Sequence, residues 1–262
     1  MPLEPHMWQF PKKLDTVWRI KSRVTISSVG LISKLVVGFN NFKVVNKQTL
    51  IKNIQSTGNG RGLITVTNHH SCLDDPTLWG ILGWKFVFGK LGEKLRWTLT
   101  ADNICYTNTF NAKFFSLVKG IPVVRGDGVY QRGMDYAIEK LNNGEWVNIF
   151  PEARVNQTQE LIRYKWGVGR MITEAKELPV VVPFFHLGMD SVSPNEGRFK
   201  YFPRICKKVT MVIGDAINFS DIVSQKDKLS PVEYRKKVTD LIQEKMAELQ
   251  VTAEQIHNPA VS

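Results

Sequence analysis

The sequence has no run of about 20 consecutive apolar residues, the length that crosses a hydrocarbon core. Its nearest approach, residues 24–39 ("VTISSVGLISKLVVGF"), is interrupted by Lys34 and suits lying at a membrane interface better than spanning it. Cysteine is scarce: Cys72, Cys105 and Cys206 form no C-x-x-C pair, which excludes a zinc knuckle and a disulfide framework and leaves them expected as buried small hydrophobes. No G-x-S-x-G elbow occurs, so no serine nucleophile of that type is expected. No repeat, low-complexity tract or Gly/Ser linker divides the chain. The expectation is an N-terminal segment, 1–42, followed by a single catalytic domain, 43–262. Acidic residues are outnumbered, 24 against 35 Lys and Arg, and the net charge of +11 favours a polyanionic partner. No nucleic-acid recognition motif accompanies that charge, so an anionic membrane surface is the better fit.

Residues 1–23 place Pro, Trp and mixed charges ahead of the apolar run, unlike a secretory signal or a transit peptide, and no cleavage is expected. Trp8, Phe10 and Trp18, interspersed with Lys12, Lys13, Arg19, Lys21 and Arg23, read as aromatic wedges and head-group contacts of an interfacial anchor. The other reading of residues 24–39 is a helix packed in the core. Farther on, short apolar runs alternate with polar helical patterns: "FKVV", "LITVT", "WTLTA", "IPVVR", "WVNIF", "VVVPFF" and "VTMVIG". The alternation predicts an α/β fold, a mixed and mostly parallel sheet flanked by helices. The last helix should open with Ser230 as its cap and Pro231 at its first position, burying Val238, Leu241, Ile242, Met246 and Leu249.

Chemistry concentrates in four places. In "TNHHSCLDDP" two adjacent histidines at a strand end precede two adjacent aspartates at a helix start, and each aspartate follows one of the histidines by five residues. A carboxylate that holds one ring nitrogen of a histidine leaves the other as a general base, and without an enzyme nucleophile the attacking hydroxyl would be the substrate's own. Spacing alone allows His69 with Asp74 or His70 with Asp75, and helix capping by either aspartate is a competing reading. A metal site is not expected, because neighbouring residues at a strand end point apart. In "GIPVVRGDG", Arg125 follows a strand and meets a glycine turn, a setting for phosphate or for an ordinary surface arginine. In "WVNIFPEARVNQ" the strand ends at Phe150-Pro151-Glu152, with Arg154 beyond; Glu152 could orient substrate, hold Arg154, or form a surface ion pair. In "LPVVVPFFHLGMD", Pro183 predicts an edge or terminating strand, and His186 reads as a core or rim histidine.

The order N-H-x-S-x-x-D, G-x-P-x-x-R-G, F-P-E and a Pro-bounded apolar strand, from Asn68 to Pro183, resembles the four blocks of the glycerolipid acyltransferase family. The stretches "NHHSCLDDPTLWGIL", "GDGVYQRGMDYAIEKLNNGEWVNIFPEARVN", "RYKWGVGRMI" and "AEQIHN" look most like its mitochondrial members that remodel cardiolipin without acyl-CoA. The resemblance implies His69 as general base and Asp74 as its partner. It assigns Asn68, Ser71, Gly120, Pro122, Arg125, Phe150, Pro151, Glu152 and Arg154 to substrate binding. It implies no cofactor and no metal, phosphatidylcholine as donor, monolysocardiolipin as acceptor and cardiolipin as product. The location implied is peripheral or monotopic, on mitochondrial membranes facing the intermembrane space; self-association is compatible with it. An acyl-CoA-dependent lysophospholipid acyltransferase and a non-catalytic binder of anionic lipid remain the alternatives. One departure stands out: the family has Gly after F-P-E, and this chain has Ala153, which is disfavoured if the position needs positive φ. Backbone amides near Gly120 or Ala153 are the candidates for an oxyanion site.

Overall fold

The computed structural model describes residues 3–58, 60–158, 160–197 and 202–259. Each of the seven apolar runs forms a strand: β1 (Asn41–Val45), β2 (Leu63–Thr67), β3 (Trp97–Ala101), β4 (Gly120–Val123), β5 (Trp146–Ile149), β6 (Val180–Leu187) and β7 (Lys208–Ile213). They make one sheet in the order β1-β7-β6-β2-β5-β3-β4, in which only the β6–β7 pair is antiparallel, as the alternation predicts. β2 is buried along its whole length, because helices cover both faces of the sheet. Ile64 and Val66 point to one core with the helices Arg132–Asn142, Gly167–Glu174 and Pro231–His257. Leu63 points to the other, with Leu50 and Ile54 of α2 (Lys47–Ser56) and Leu78 of α3 (Asp74–Leu78). The chain leaving β2 runs toward β3, whereas the chain leaving β5 crosses back to β6. The loops therefore part above the C-terminal end of β2, the place where open α/β sheets bind ligands.

The final helix starts as expected: Ser230 is its cap, Pro231 follows, and Glu233 completes a capping box by accepting from the Ser230 amide at 2.9 Å. Val238, Ile242 and Met246 are fully buried, with Leu241 and Leu249 packed beside them.

Three expectations are corrected. β6 is an interior strand between β2 and β7, although it contains Pro183. The proline is tolerated because its carbonyl, and so its missing N–H, faces β7 where that ladder ends: Gly214 N–H donates to Pro183 O at 2.8 Å, and β6–β7 pairing begins at Phe184. The cysteines are not buried hydrophobes. Cys72 and Cys206 are exposed and Cys105 half-buried, since all three fall in turns or at a helix end rather than on inward faces. Nor are the N-terminal aromatics wedges. Phe10 is buried and stacks on Tyr136 at 5.0 Å, Trp8 packs edge-on against Tyr136, and Trp18 stacks on Trp97 at 6.0 Å.

The helix behind them, α1 (Thr16–Gly38), has an apolar side turned outward. Its buried side carries Ser22 and Ser33, and Ser27 joins them in donating to backbone carbonyls of the domain. Ser22 reaches Leu117 O at 2.6 Å, Ser27 reaches Val87 O at 2.6 Å, and Ser33 reaches Pro76 O at 2.5 Å. Gly80 lets the helix come this close, since a Cβ there would lie 2.5 Å from Ser33 O. The outer side exposes Val17, Ile20, Val24, Leu31, Ile32 and Leu35. Among the described residues no helix is long and apolar enough to cross a membrane.

Candidate active site

The spacing of five between His69 and Asp74 becomes a contact because the chain folds back in one tight turn. Asp74 N–H donates to Ser71 O at 3.1 Å, which swings the Asp74 side chain beneath the end of β2. There Oδ2 accepts from His69 Nδ1 at 3.0 Å and from the amides of His70 and Ser71 at 2.7 and 2.8 Å. Asp74 is completely buried, which by itself would raise its pKa. The charge and hydrogen bond of His186, then those of His69, outweigh that burial and hold the carboxyl well below the usual range. An ionised Asp74 requires the proton on His69 Nδ1, which leaves Nε2 with its lone pair free; it has no partner among the described residues. The His69 side chain is 17% exposed and lies flat on Phe150, ring centroids 4.3 Å apart. Helix capping is not what Asp74 does: the cap position of α3 is Leu73, with no side-chain hydrogen bond.

The His69 backbone is held on both sides. Glu152 Oε1 accepts its N–H at 3.0 Å, and Asn156 N–H donates to its carbonyl at 2.6 Å, so the loop after β5 is strapped along this residue. Just before it, Asn68 and His186 clasp one another. The Asn68 amide exchanges two hydrogen bonds with the His186 backbone, 2.9 and 2.8 Å, and His186 Nε2 returns one to Asn68 O at 3.0 Å. His186 Nε2 also lies 3.5 Å from Asp74 Oδ2, so a single buried carboxylate serves two imidazoles. Burial opposes a charge on His186, but Asp74 and its hydrogen bonds raise its pKa. Burial raises that of Glu152, against the His69 amide that it accepts from.

His70 and Asp75 have other partners. His70 is buried edge-on to Phe185 and His186, and burial followed by the His186 charge pushes its pKa down to about 4, so it is neutral. Asp75 faces β3, accepting from Arg96, Thr98 and Trp79, with Thr98 Oγ1 at 2.8 Å. Ser71 is buried, its hydroxyl donated to Ser193 O at 2.7 Å.

The remaining expected residues separate into near and far. Phe150, Pro151 and Glu152 adjoin His69 across β5. Gly120 does not: register places it level with Thr98, Asn148 and Thr65 in the buried body of the sheet, about 10 Å below the strand ends. Pro122 is buried in the same strand. Of the two positions beside which an oxyanion site was expected, Gly120 is interior and Ala153 N–H already donates to Phe150 O at 3.0 Å. Arg125 and Arg154 are exposed at the same end of the sheet as His69, Arg125 at the end of β4, three strands or roughly 15 Å away. Ala153 has φ of 56°, the left-handed conformation that favours glycine. The Asn68–His186 clasp and the shared carboxylate were beyond sequence reasoning; the one signal was a polar His in an otherwise apolar strand. Among the described residues no group of His, Cys, Asp or Glu is placed to hold a metal ion.

A family model described as acyltransferase matches residues 41–186. Tafazzin of Drosophila melanogaster is 40% identical over 255 residues, 95% of this chain and 66% of the fly protein, so the chain spans about two thirds of that relative's length. The N-acylphosphatidylethanolamine synthase of Arabidopsis thaliana is 35% identical over 216 residues, 80% of this chain and 75% of the plant protein. The crystal structure of the 1-acyl-sn-glycerophosphate acyltransferase PlsC from Thermotoga maritima shares the fold, with TM-score 0.53 at 19% identity, covering 87% of this chain and 79% of that one.

Proposed function

The chain belongs to the glycerolipid acyltransferase family, and we propose that it moves an acyl chain between a phospholipid and a lysophospholipid without acyl-CoA. Phosphatidylcholine is the donor in this reading and monolysocardiolipin the acceptor, so that cardiolipin is remodelled at mitochondrial membranes facing the intermembrane space. The observation that carries the chemistry is the His69–Asp74 pair with Nε2 unengaged. Ser71 is buried and donates to Ser193 O, which supports an attacking oxygen supplied by the substrate. His69 Nε2 takes the proton of the acceptor hydroxyl as its oxygen adds to the donor's ester carbonyl. Collapse of the tetrahedral intermediate breaks the old ester bond, and the imidazolium returns its proton to the departing lysophospholipid oxygen. One ester replaces another, so the transfer is close to thermoneutral and runs both ways. Asp74 stabilises the imidazolium between the two steps. The exposed Arg125 and Arg154 serve phospholipid phosphates.

The outer side of α1 supports an interfacial seat, and the resemblance to the tafazzins supports the choice of lipids and compartment. The test is label transfer from phosphatidylcholine to monolysocardiolipin by purified protein with no CoA present, abolished by His69→Gln. Strict dependence on added acyl-CoA would overturn the reading. A second reading follows from the plant relative's name: the same base could relieve an amine of its proton. Phosphatidylethanolamine belongs in the same assay, with N-acyl product as the mark of that alternative.

A further inference from the structure

Charge and exposed apolar surface are distributed in a correlated way. No Asp or Glu occurs from residue 16 to residue 73, from 76 to 92, or from 103 to 126. The first stretch contains α1, and the other two contribute segments that touch it. Arg23 donates to Gly89 O and Ser27 to Val87 O, while Ser22 donates to Leu117 O at the end of the helix Thr109–Leu117. Lys34 of α1 lies over the Trp84 ring at 5.3 Å. Both neighbours expose aromatic side chains that the core does not use. Trp84 and Phe88 stack on each other at 5.9 Å and are 55% and 62% exposed, and Phe110 is 78% exposed with Phe114 one turn on. Exposed lysines alternate with them, Lys85 beside Trp84 and Lys113 between the two phenylalanines.

We propose that this composite face docks on an anionic bilayer, with Trp84 and Phe88 and with Phe110 and Phe114 inserting beside the outer side of α1. The bilayer supplies what each feature lacks. Its acyl boundary covers the exposed aromatic rings, and its phosphates meet the lysines of stretches that carry no carboxylate. Several shallow contacts suit a chain in which, among the described residues, no helix is long and apolar enough to cross a membrane. The face also has an orientation relative to the chemistry. α1 rests on Pro76, two residues from Asp74. Docking there sets the mouth of the site toward lipid.

This inference rests on the acyl-transfer reading, and its test keeps the two apart. The full chain, Trp84→Ser/Phe88→Ser and Phe110→Ser/Phe114→Ser are compared by co-sedimentation with vesicles of phosphatidylcholine alone and of phosphatidylcholine with phosphatidylglycerol. Transfer between short-chain phospholipids below their micellar concentration is measured in parallel. We expect wild type to prefer the anionic vesicles and each double variant to lose about tenfold or more in binding. Transfer between dispersed short-chain lipids should be unchanged, which also shows that the variants are folded. Brominated lipid should quench wild-type fluorescence more than that of Trp84→Ser. Wild-type vesicle binding by both double variants overturns the docking proposal and leaves the acyl-transfer reading standing. Loss of a dimer in the variants, with vesicle binding intact, overturns it in favour of a second copy on this face. Vesicle binding that needs the aromatics, in a protein without transfer activity on any of these lipids, sinks the acyl-transfer reading instead.

Discussion

Asp74 and Asp75 are adjacent carboxylates at the start of one short helix, yet they belong to different parts of the molecule. A step of one residue turns a helical side chain by about 100°. Asp74 consequently points under β2 into a buried set of donors, while Asp75 points across to Arg96 and β3. The first carboxylate is surrounded by two backbone amides and two imidazoles, so its fixed charge can stabilise His69 as the ring gains a proton. The second is matched by a guanidinium, a fixed cation that returns nothing to a reaction. Identity and burial alone do not make a carboxylate part of a site; the ability of its partner to change protonation does.

The sharpest way to break this comparison is at the histidines. His69→Gln should reduce acyl transfer by about a thousandfold, within the range for losing a general base, with the circular dichroism spectrum unchanged. His70→Gln should stay within a few-fold of wild type, and a reversal of the two results would mean that the wrong pair has been chosen. Asp74→Asn comes next, with a loss of about a hundredfold or more in turnover, because the amide supports neither the tautomer nor the imidazolium. It should also alter acid unfolding. The folded pKa of Asp74 lies below its unfolded value, so its stabilisation is fully present above about pH 4 and is lost as pH falls below that. Urea titrations from pH 6 downward should therefore show a shallower decline for the variant. Asp75→Asn should do the opposite, costing about 2–3 kcal/mol of stability at pH 7 through the orphaned Arg96 while turnover per folded molecule changes little. The smallest effect is on the strap that holds His69: Ala153→Gly relieves the left-handed strain and should raise stability by up to about 1 kcal/mol, read as a higher urea midpoint.

Much of this was legible beforehand, for identifiable reasons. All seven strands were visible as runs rich in β-branched and aromatic residues, most plainly in β6, whose burial on both faces leaves a nearly continuous apolar signature. The His–Asp relation was visible as a spacing that left two registers; the resemblance favoured His69 with Asp74, and the Ser71–Asp74 turn and the Arg96–Asp75 pair are the contacts that separate the two in the fold. His186 was legible as a core histidine, which its burial bears out, but its clasp with Asn68 was not, because the two are 118 residues apart and no local pattern encodes a contact between parallel neighbours. Pro183 misled because its cost depends on where β7 stops. Trp8, Phe10 and Trp18 misled for a related reason: an aromatic beside lysines reads the same whether it covers lipid or another aromatic ring. The positive φ at Ala153 was the reverse case, a local requirement inferred from the usual glycine and found in the backbone.

The seam between α1 and the turn after Asp74 works as a mechanical spacer. With Ser33 seated on Pro76 and no room for even a methyl group at Gly80, the helix has no slack against the segment that carries the carboxylate. On the docking proposal, any depth that α1 takes up in a lipid surface is passed on to that segment. Gly80 is a length standard in that proposal: adding one carbon there would push α1 off the turn after Asp74.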